Sequence, residues 1–550
     1  MRYSGAQIII KLLERYGIDI IAGIPGGANL PLYNALRISK IRHILVRHEQ
    51  AAGFIAQGIA RSTGKPSICF ATSGPGATNL LTAIADAKLD SIPIIAITGQ
   101  VAAALMGTDA FQEVDTYGMT IPITKHNFLV KNARELLTII PEAFNIATSG
   151  RPGPVVIDVP KDVQNEQIEF NNWPRANLSK QKFEISDSSA KRIAQIINKS
   201  KRPLMYIGGG IIASRAQDLV YKLAKKNSIP VALTLTGLGS FPADDELYLG
   251  MLGMHGASYT NFIVEDADLI LAFGVRFDDR ATGLARQFVR NAKIIHIDID
   301  NAEIDKIKKA NFSLCADIAQ AIKAITPLAH RDTRKDWLSQ IASKKEKYPL
   351  FTSKDKLHPI NIIKAISSMV SPDTIITTDV GQHQMWVAQS YPFRRPRTLL
   401  TSGGLGTMGF GLPAAIGAAL ANPDKRIVCI SGDGSILMNI QEMATLAELN
   451  LNVTIIIMNN GHLGLVRQQQ EFFYNKKYIA SKFLAKHSFK KIAHAFGIRA
   501  FELDSREKVH LTLRQALKAK GPSLVDISIH YAHNVTPMVK PGRSNMEMIG

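Results

Sequence analysis

The sequence is poor in cysteine and has no apolar run long enough to cross a membrane. Its 550 residues include three cysteines, Cys69, Cys315 and Cys429, which lie far apart without metal-binding spacing. This excludes a disulfide scaffold and a zinc module. No uninterrupted apolar stretch reaches the roughly 18–20 residues of a membrane-spanning helix, and the first residues lack the apolar core of a signal peptide. These absences predict a cytoplasmic protein without a membrane partner.

Acidic residues are scarce relative to basic ones. The chain has 65 Lys and Arg against 46 Asp and Glu, a formal net charge of +19. Such a balance can indicate nucleic-acid binding. The basic residues are spread, however, and the local clusters at 222–226, 306–309 and 344–347 match no nucleic-acid module. We interpret them as solvated faces that also favour acidic ligands, and we predict no nucleic-acid partner.

Length and patterning predict three α/β domains, because 550 residues are too many for a single core. Short apolar runs alternate with helical segments and with turns that contain glycine or proline, which predicts doubly wound parallel sheets. The predicted domains span residues 1–165, 188–330 and 358–535, with a C-terminal tail at 536–550 and connectors at 166–187 and 331–357. The predicted strands are 18–22, 41–46, 67–71, 93–98 and 155–159, then 203–207, 230–235, 269–273 and 293–297, then 374–378, 427–430 and 453–458.

The sequence of the middle domain does not determine which ligand, if any, it binds. A glycine triplet, Gly208 to Gly210, follows its first predicted strand but is not a GxGxxG fingerprint. Asp298 and Asp300 follow the last predicted strand, where ribose hydroxyls are often bound. Both a dinucleotide site and an ordinary α/β core fit this pattern.

The strongest chemical signal lies in residues 427–464. A buried-strand pattern ends at Gly432-Asp433-Gly434, a helical segment follows, and a second strand pattern ends at Asn459-Asn460-Gly461. In a right-handed strand–helix–strand unit both strand ends open on one sheet edge, so Asp433 and Asn460 can meet. Carboxylate and amide oxygens suit Mg²⁺, and the glycine turns offer N–H donors to phosphates. Each motif alone is an ordinary turn; the pair predicts a magnesium–phosphate site.

This pair, 27 positions apart (460 − 433), resembles the diphosphate and metal signature of thiamine-diphosphate (ThDP) enzymes. Within that class the chain resembles the large catalytic subunits of acetolactate synthases (acetohydroxyacid synthases) over its whole length. The stretches that carry this resemblance are RHEQAAG, TSGPGATNL, GTDAFQEVD, SGRPGPVVIDVPKD, GMLGMHG, RFDDR, TTDVGQHQMW, GLGTMGFGLPAA, SGDGS and VTPMVKPGRSNMEM.

The resemblance implies a pyrimidine-binding, a central FAD-binding and a diphosphate-binding domain, with ThDP, Mg²⁺ and FAD as cofactors. The implied Mg²⁺ ligands are Asp433, Asn460 and the main-chain oxygen of His462. The implied ThDP residues are Pro25, Gly26, Pro75, Asn79, Val380, Gly381, Gln382, His383, Gly406, Met408, Gly434, Ser435 and Met458. The implied FAD residues are Arg151, Gly208, Gly209, Gly210, His255, Gly274, Arg276, Asp278, Asp298 and Asp317. The implied catalytic and substrate-side residues are Glu49, Phe111, Gln112, Lys161, Met254, Arg280 and Gln469.

Some of these positions have an ordinary interpretation as well. Glu49 follows a predicted strand and starts a helix, where the dipole favours any carboxylate. The resemblance instead implies that Glu49 hydrogen-bonds N1′ of the aminopyrimidine and that Met408 supports the two cofactor rings. It also implies that Arg280, a forked and permanent cation, binds the carboxylate of the acceptor.

The implied reaction is decarboxylation of pyruvate and transfer of the hydroxyethyl group to a second 2-keto acid. Pyruvate as acceptor gives 2-acetolactate, and 2-ketobutyrate gives 2-aceto-2-hydroxybutyrate, in the first common step of valine, leucine and isoleucine biosynthesis. Biosynthetic members usually carry Trp where this chain has Gln469, and that Trp contacts the extra methyl of 2-ketobutyrate. A methylene in an apolar pocket is worth about 1–3 kcal/mol, so we predict a weak preference for 2-ketobutyrate.

The resemblance further implies a homodimer or homotetramer with active sites between subunits, and a regulatory small subunit. Alternative ThDP activities are those of a pyruvate oxidase, a 2-keto acid decarboxylase or a glyoxylate carboligase, although the last typically lacks the acid at Glu49. A NAD-type dehydrogenase or nucleotide-binding module would explain the middle domain but not the Asp433–Asn460 pair.

Overall fold

The computed structural model describes residues 1–176, 183 and 185–550. It contains three six-stranded sheets in which all strand pairs are parallel, one in each predicted domain. This confirms the predicted fold class of three α/β domains. Within the described part of the chain, no helix has both the length and the apolarity to cross a bilayer.

The first helix of the first domain is Gly5–Arg15, and Ser4 and Gln7 form a reciprocal capping box at its N-terminus. In spatial order its sheet consists of Arg42–Leu45, Ile20–Gly23, Ser67–Ala71, Ile94–Gln100, Val155–Pro160 and His126–Leu129. Its α-helices are Gly5–Arg15, Leu30–Leu36, Glu49–Thr63, Pro75–Asp90, Thr116–Thr120, Leu136–Thr148 and Lys161–Asn165. Arg2–Ser4 pairs antiparallel with Gln167–Glu169 and so ties the start of the domain to its end.

The middle domain has the sheet order Tyr248–Met251, Val231–Leu233, Pro203–Ile207, Leu269–Phe273, Lys293–Asp298 and Phe312–Cys315. Its α-helices are Asp187–Lys199, Gly209–Ala213, Gln217–Asn227, Ser258–Asp266, Asp279–Thr282, Ile318–Ile325 and Lys335–Lys347. The last helix lies within the predicted connector 331–357. It packs on this domain, because the buried Trp337 donates its indole N–H to the carbonyl of Pro203 at 3.0 Å.

The third domain has the sheet order Leu399–Leu400, Ile375–Thr378, Ile427–Gly432, Val453–Asn459, Ser523–Ser528 and Arg499–Leu503. Its α-helices are Pro359–Met369, Gln382–Ser390, Gly411–Ala421, Asp433–Ile436, Glu442–Glu448, Gly464–Phe473, Phe489–Ala495 and Val509–Leu517. In the tail, Met538–Val539 pairs antiparallel with Met548–Ile549. Short 3₁₀ helices span Ala103–Leu105, Ile121–Ile123, Ala133–Glu135, Leu235–Gly237, Leu437–Asn439 and Arg506–Lys508.

The first and third domains share one apolar core. The helices Glu49–Thr63 and Gly411–Ala421 cross at two glycines, Gly58 and Gly417, and a side chain at either position would press on the other helix's backbone. Phe54 and Phe410 meet edge to face across this contact, with ring centroids 5.4 Å apart. The crossing therefore fixes the helix that starts at Glu49 against the domain that carries Asp433.

Two further predictions concern the connectors and cysteines. The connector 166–187 contains the strand Gln167–Glu169, and its residues 177–182 and 184 lie outside the described part. Cys69 and Cys429 lie in apolar strands and are buried, whereas Cys315 is exposed. All three are free thiols.

Candidate active site

A cavity opens at the carboxyl ends of the strands Ile427–Gly432 and Val453–Asn459. These strands pair in register, with Gly432 opposite Met458, so the turns that follow them are neighbours. The cavity is lined by Val380, Gly381, Gln382, His383, Trp386, Met408, Gly432, Asp433, Gly434, Ser435, Met458, Asn460, His462, Leu463, Gly464, Leu465, Val466 and Ile529. Eleven of the residues predicted to bind ThDP or Mg²⁺ are in this set. The parallel-strand rule predicts the meeting of Asp433 and Asn460, and the resemblance implied the other nine.

Asp433 and Asn460 meet at the floor of the cavity. Burial raises the pKa of the Asp433 carboxyl to about 6, although main-chain N–H groups, among them those of Gly461 and Asn460, favour its charged form. The Asn460 amide donates to Gln382 Oε1 at 3.3 Å, and its oxygen accepts the N–H of His462 at 2.9 Å. A carboxylate, an amide oxygen and a nearby main-chain turn are hard donors of the kind that Mg²⁺ requires.

The turn after Asp433 allows a ligand to lie close to the protein backbone. A β-carbon on Gly434 would lie 2.8 Å from the end of the Leu463 side chain and 2.9 Å from the Phe483 ring, so a larger residue there would displace these side chains. Ser435 Oγ accepts the N–H of Gly432 at 3.1 Å and closes this turn. The backbone here can therefore approach a diphosphate group without an intervening side chain.

His383 brings an unpaired polar atom to the cavity. Its ring is buried, its Nε2 has no hydrogen-bond partner within the described residues, and burial lowers its pKa to about 3. A neutral buried imidazole with one free nitrogen is unfavourable without a partner, so the site fits a bound polar group there. The indole N–H of Trp386, which lines this cavity, is also unpaired among the described residues. Trp386 ends the TTDVGQHQMW stretch but is not among the predicted site residues.

Met408 enters the cavity from a loop between the strand Leu399–Leu400 and the helix Gly411–Ala421. The next residue, Gly409, donates its N–H to the buried Asp379 at 2.7 Å. Gly406, two residues before Met408, has a φ of +71°, a conformation that favours glycine. Gly406 is in this loop but is not in the lining set.

A second group of predicted residues lies at the carboxyl edge of the first domain's sheet. Glu49 is buried at the start of its helix and accepts a hydrogen bond from the Asn79 amide at 2.9 Å. A β-carbon on Gly76 would lie 3.5 Å from Glu49 Oε1 and 2.8 Å from Thr72. Pro75 starts the same helix as Gly76. A β-carbon on Gly26, which follows Pro25, would lie 2.6 Å from the Thr72 side chain.

Three further predicted residues lie on loops of this edge. Phe111 is 89% exposed, an unusual state for a large aromatic side chain. Gln112 has a φ of +59°, and its main chain packs on Gly74. Lys161 is exposed at the start of its helix, and the neighbouring Asp162 accepts the N–H of Ala103 at 3.1 Å. None of these residues, nor Glu49, lines the Asp433 cavity of the same chain.

The substrate-side residues Met254 and Arg280 contact each other. The Met254 N–H donates to the carbonyl of Arg280 at 2.7 Å, and an Arg280 guanidinium nitrogen lies 3.4 Å from Met254 Sδ. Gln469 is half-buried on the helix Gly464–Phe473, whose first residues line the cavity. The C-terminal segment links these places: the neighbour Gln468 donates to the carbonyl of Val535 at 2.8 Å, and Val539 donates to that of Met254 at 3.0 Å.

The glycines predicted to bind FAD form a tight strand-to-helix turn. β-Carbons on Gly208 and Gly210 would collide with the backbone of Gly274, so these glycines are required by packing alone. A β-carbon on Gly209 would lie 3.2 Å from the Thr236 hydroxyl. Asp278 and Asp317 accept main-chain N–H groups as helix N-caps.

The remaining residues predicted for FAD carry charge or an unpaired nitrogen. Arg151 forms ion pairs with Asp300 at 3.3 Å and Glu303 at 2.6 Å. Arg276 donates to the carbonyl of Leu89. Burial raises the pKa of Asp298 to about 6.

His255, also predicted for FAD, is buried beside the tail. Burial lowers its pKa to about 4, and its Nδ1 has no partner within the described part of the chain. A bound polar group at this place would satisfy that nitrogen.

Comparison with known proteins matches three family domains along the chain. The N-terminal TPP binding domain of thiamine pyrophosphate enzymes matches residues 3–119, their central domain matches 190–325, and their C-terminal TPP binding domain matches 379–527. The chain is 52% identical to the acetolactate synthase isozyme 1 large subunit of Escherichia coli, with 100% of this chain and 98% of that protein covered. It is 45% identical to the chloroplastic acetolactate synthase of Arabidopsis thaliana (99% and 84%) and 43% identical to the Escherichia coli isozyme 2 large subunit (99% and 99%).

Proposed function

Because the chain belongs to the acetolactate synthase large subunits, a thiamine-diphosphate enzyme family, we propose that it condenses pyruvate with a second 2-keto acid and releases CO₂. Pyruvate as acceptor gives 2-acetolactate, and 2-ketobutyrate gives 2-aceto-2-hydroxybutyrate. The observation that carries this proposal is the cavity wall on which Asp433, Asn460, His383 and Met408 meet.

We propose that the diphosphate end of ThDP binds this cavity through Mg²⁺. Asp433, Asn460 and the main-chain oxygen of His462 would hold the ion, and the turn at Gly434 and Ser435 would face the phosphates. Bound ThDP supplies an electron sink that makes the decarboxylation of a 2-keto acid possible. Met408 would support the cofactor rings, and the apolar cavity wall would exclude water from them.

Glu49 is proposed as the residue that exchanges a proton with the aminopyrimidine. Its Oε2 accepts the Asn79 amide, which leaves Oε1, on the side of Gly76, to hold a proton. A buried carboxyl that is oriented by one hydrogen bond is suited to proton transfer. Since Glu49 does not line the cavity of its own chain, we propose that it serves the cavity of a second copy in a homodimer or homotetramer.

The acceptor would bind between Arg280 and the helix that carries Gln469. Arg280 is exposed enough to reach a carboxylate, and Met254 packs beside it. Phe111, Gln112 and Lys161 of the partner copy would form the opposite wall. Gln469 offers an amide where an apolar contact to an ethyl group would be needed, so we propose weak selectivity for 2-ketobutyrate.

FAD is proposed to bind the middle domain with a structural role, since the reaction involves no net redox change. The unpaired Nδ1 of His255 and the buried Asp298 support a polar ligand there. A regulatory small subunit is proposed because two of the relatives are named as large subunits.

Product analysis tests the proposal. The protein is purified with ThDP, Mg²⁺ and FAD, pyruvate and 2-ketobutyrate are supplied at equal concentrations, and both acetohydroxy acids are quantified alongside the flavin spectrum. We expect mostly acetolactate and an oxidised flavin. Dominant acetohydroxybutyrate would contradict the role of Gln469. Free acetaldehyde as the main product would favour a decarboxylase, and flavin bleaching by anaerobic pyruvate would favour an oxidase.

A further inference from the structure

A buried charge cluster of the first domain contacts the loop that carries Met408. Arg61, on the helix Glu49–Thr63, forms ion pairs with Asp86 at 3.1 Å and Asp90 at 2.8 Å, both on the helix Pro75–Asp90. Both carboxylate side chains are fully buried, and the Arg61 side chain is 9% exposed. We call these three residues the Arg61 cluster.

The Arg61 cluster has two acids and one base, and the loop 401–408 of the third domain supplies the missing donors. The main-chain N–H groups of Gly403 and Gly404 donate to Asp90 at 2.9 and 2.7 Å. The hydroxyls of Ser402 and Thr407 donate to Asp86, the latter at 3.1 Å. The loop is therefore part of the solvation shell of the two carboxylates.

Arg61 also contacts the first residue of the loop and a residue just beyond its end. It donates to the carbonyl of Thr401 at 2.9 Å, and its guanidinium lies 5.0 Å from the centre of the Phe410 ring. Two glycines let the loop approach: β-carbons would lie 2.7 Å from Thr236 at Gly403 and 2.8 Å from Leu89 at Gly404. Loop and cluster thus form one packed unit across two domains.

An open loop would leave buried carboxylates without donors. Buried charges that lose their hydrogen bonds are costly, so the closed loop is favoured strongly as long as the cluster is intact. Met408 directly follows Thr407 and lines the cavity. A shift of the loop would move Met408 out of the cavity wall.

We propose that Arg61, Asp86 and Asp90 are positioning residues, which fix the loop 401–408 and thereby hold Met408 in the cavity. They touch neither the cavity nor any proposed ligand. The role of Met408 toward the cofactor rests on the proposed function, whereas the anchoring of the loop does not.

The test compares Asp90→Asn with the parent protein in two measurements. The first measurement is amide hydrogen exchange of the cofactor-free protein, monitored by mass spectrometry. We expect exchange to become about tenfold faster in peptides that cover 401–408 and to stay unchanged elsewhere in the third domain. The second measurement is the ThDP concentration for half-maximal activity, which should rise about tenfold. A tenfold weaker affinity is the effect expected when one hydrogen bond to a buried charged group is lost. The KM for pyruvate should not change, and saturating ThDP should restore kcat.

Glu448→Gln is the matched control. It breaks the ion pair between Arg47 and Glu448, which also joins the first and third domains but lies at the surface. We expect no change in loop exchange or in ThDP half-saturation.

Unchanged loop exchange in Asp90→Asn would overturn the proposal, as would a uniform increase over the whole third domain, which indicates a general structural role. If Asp90→Asn fails to fold, the double variant Ser402→Ala, Thr407→Val removes two donors from the loop side, and the same exchange criterion applies. Faster loop exchange in a protein without carboligase activity would support the anchoring and refute the proposed function.

Discussion

Gly417→Ala should weaken the contact between the first and third domains. A β-carbon there would lie 2.9 Å from the carbonyl carbon of Ile55 and closer still to its oxygen, well inside the 3.4 Å of an ordinary contact. Backbone cannot yield as a flexible side chain does, so the upper part of the usual overpacking cost, about 3 kcal/mol, applies. Alanine recovers about 1 kcal/mol of helix propensity, so we expect a net loss of about 2 kcal/mol.

The assay is urea denaturation, followed by far-ultraviolet circular dichroism and by tryptophan fluorescence. The midpoint should fall in Gly417→Ala at an unchanged slope. Gly27→Ala is the control, because a β-carbon at Gly27 would meet no atom within 4 Å. A Gly417→Ala protein that is as stable as its parent would refute the inference that the helix crossing is closed to side chains.

Three further predictions follow from the candidate site and its supports. Glu49→Gln should lower kcat by about 10²–10⁴-fold at saturating ThDP, because proton transfer is lost while the new amide can still hydrogen-bond Asn79. An unchanged kcat would contradict the proposed role of Glu49 in proton transfer. Asn460→Ala should raise the Mg²⁺ concentration for half-maximal activity, measured by titration of metal-depleted protein, and no shift would exclude it as a ligand. Burial raises the pKa of the Asp158 carboxyl from its ordinary value of 3.8 to about 7 in the folded protein. The contribution of Asp158 to the free energy of unfolding is therefore present below pH 3.8 and is lost as the pH rises to about 7. In Asp158→Asn this part of the pH dependence of urea denaturation should vanish, and an identical pH profile would refute the assignment.

The central strands and the meeting of Asp433 with Asn460 could be predicted from sequence because both follow from one rule. Buried parallel strands are continuous apolar runs, and the ends of adjacent strands meet at one edge. That rule brings Asp433 and Asn460 together, and the structure confirms that their turns are hydrogen-bonded. The positions of Gly434 and Met458 at the same cavity follow from the same register.

Four of the strands that the sequence patterns did not predict have identifiable physical reasons. His126–Leu129, Phe312–Cys315 and Arg499–Leu503 are edge strands with partly exposed side chains, so their apolar runs are broken. The interior strand Ser523–Ser528 was missed because Asp526 interrupts its apolar run. The Asp526 carboxylate accepts the Asn459 amide at 3.0 Å, a contact that only the folded sheet provides.

The hydrogen bonds that hold the loops around the site could not be predicted, because they join residues that are remote in sequence. Ser402 and Thr407 contact Asp86 across more than 300 positions, and Gln468 contacts Val535 across 67. Polar side chains of this kind look like ordinary surface residues in the sequence. Their burial and partners follow from the packing of the domains, which no local pattern encodes.

The most direct test of the central claim is complementation between two inactive variants. The claim is that one active site combines Glu49 of one copy with Asp433 of another. Glu49→Gln and Asp433→Asn chains are co-expressed with different affinity tags, and hybrids are purified through both tags. In a symmetric dimer one of the two sites is then intact, so about half of the parent's acetolactate activity per dimer is expected. Hybrids as inactive as either variant alone would contradict the claim and place the whole site within one chain.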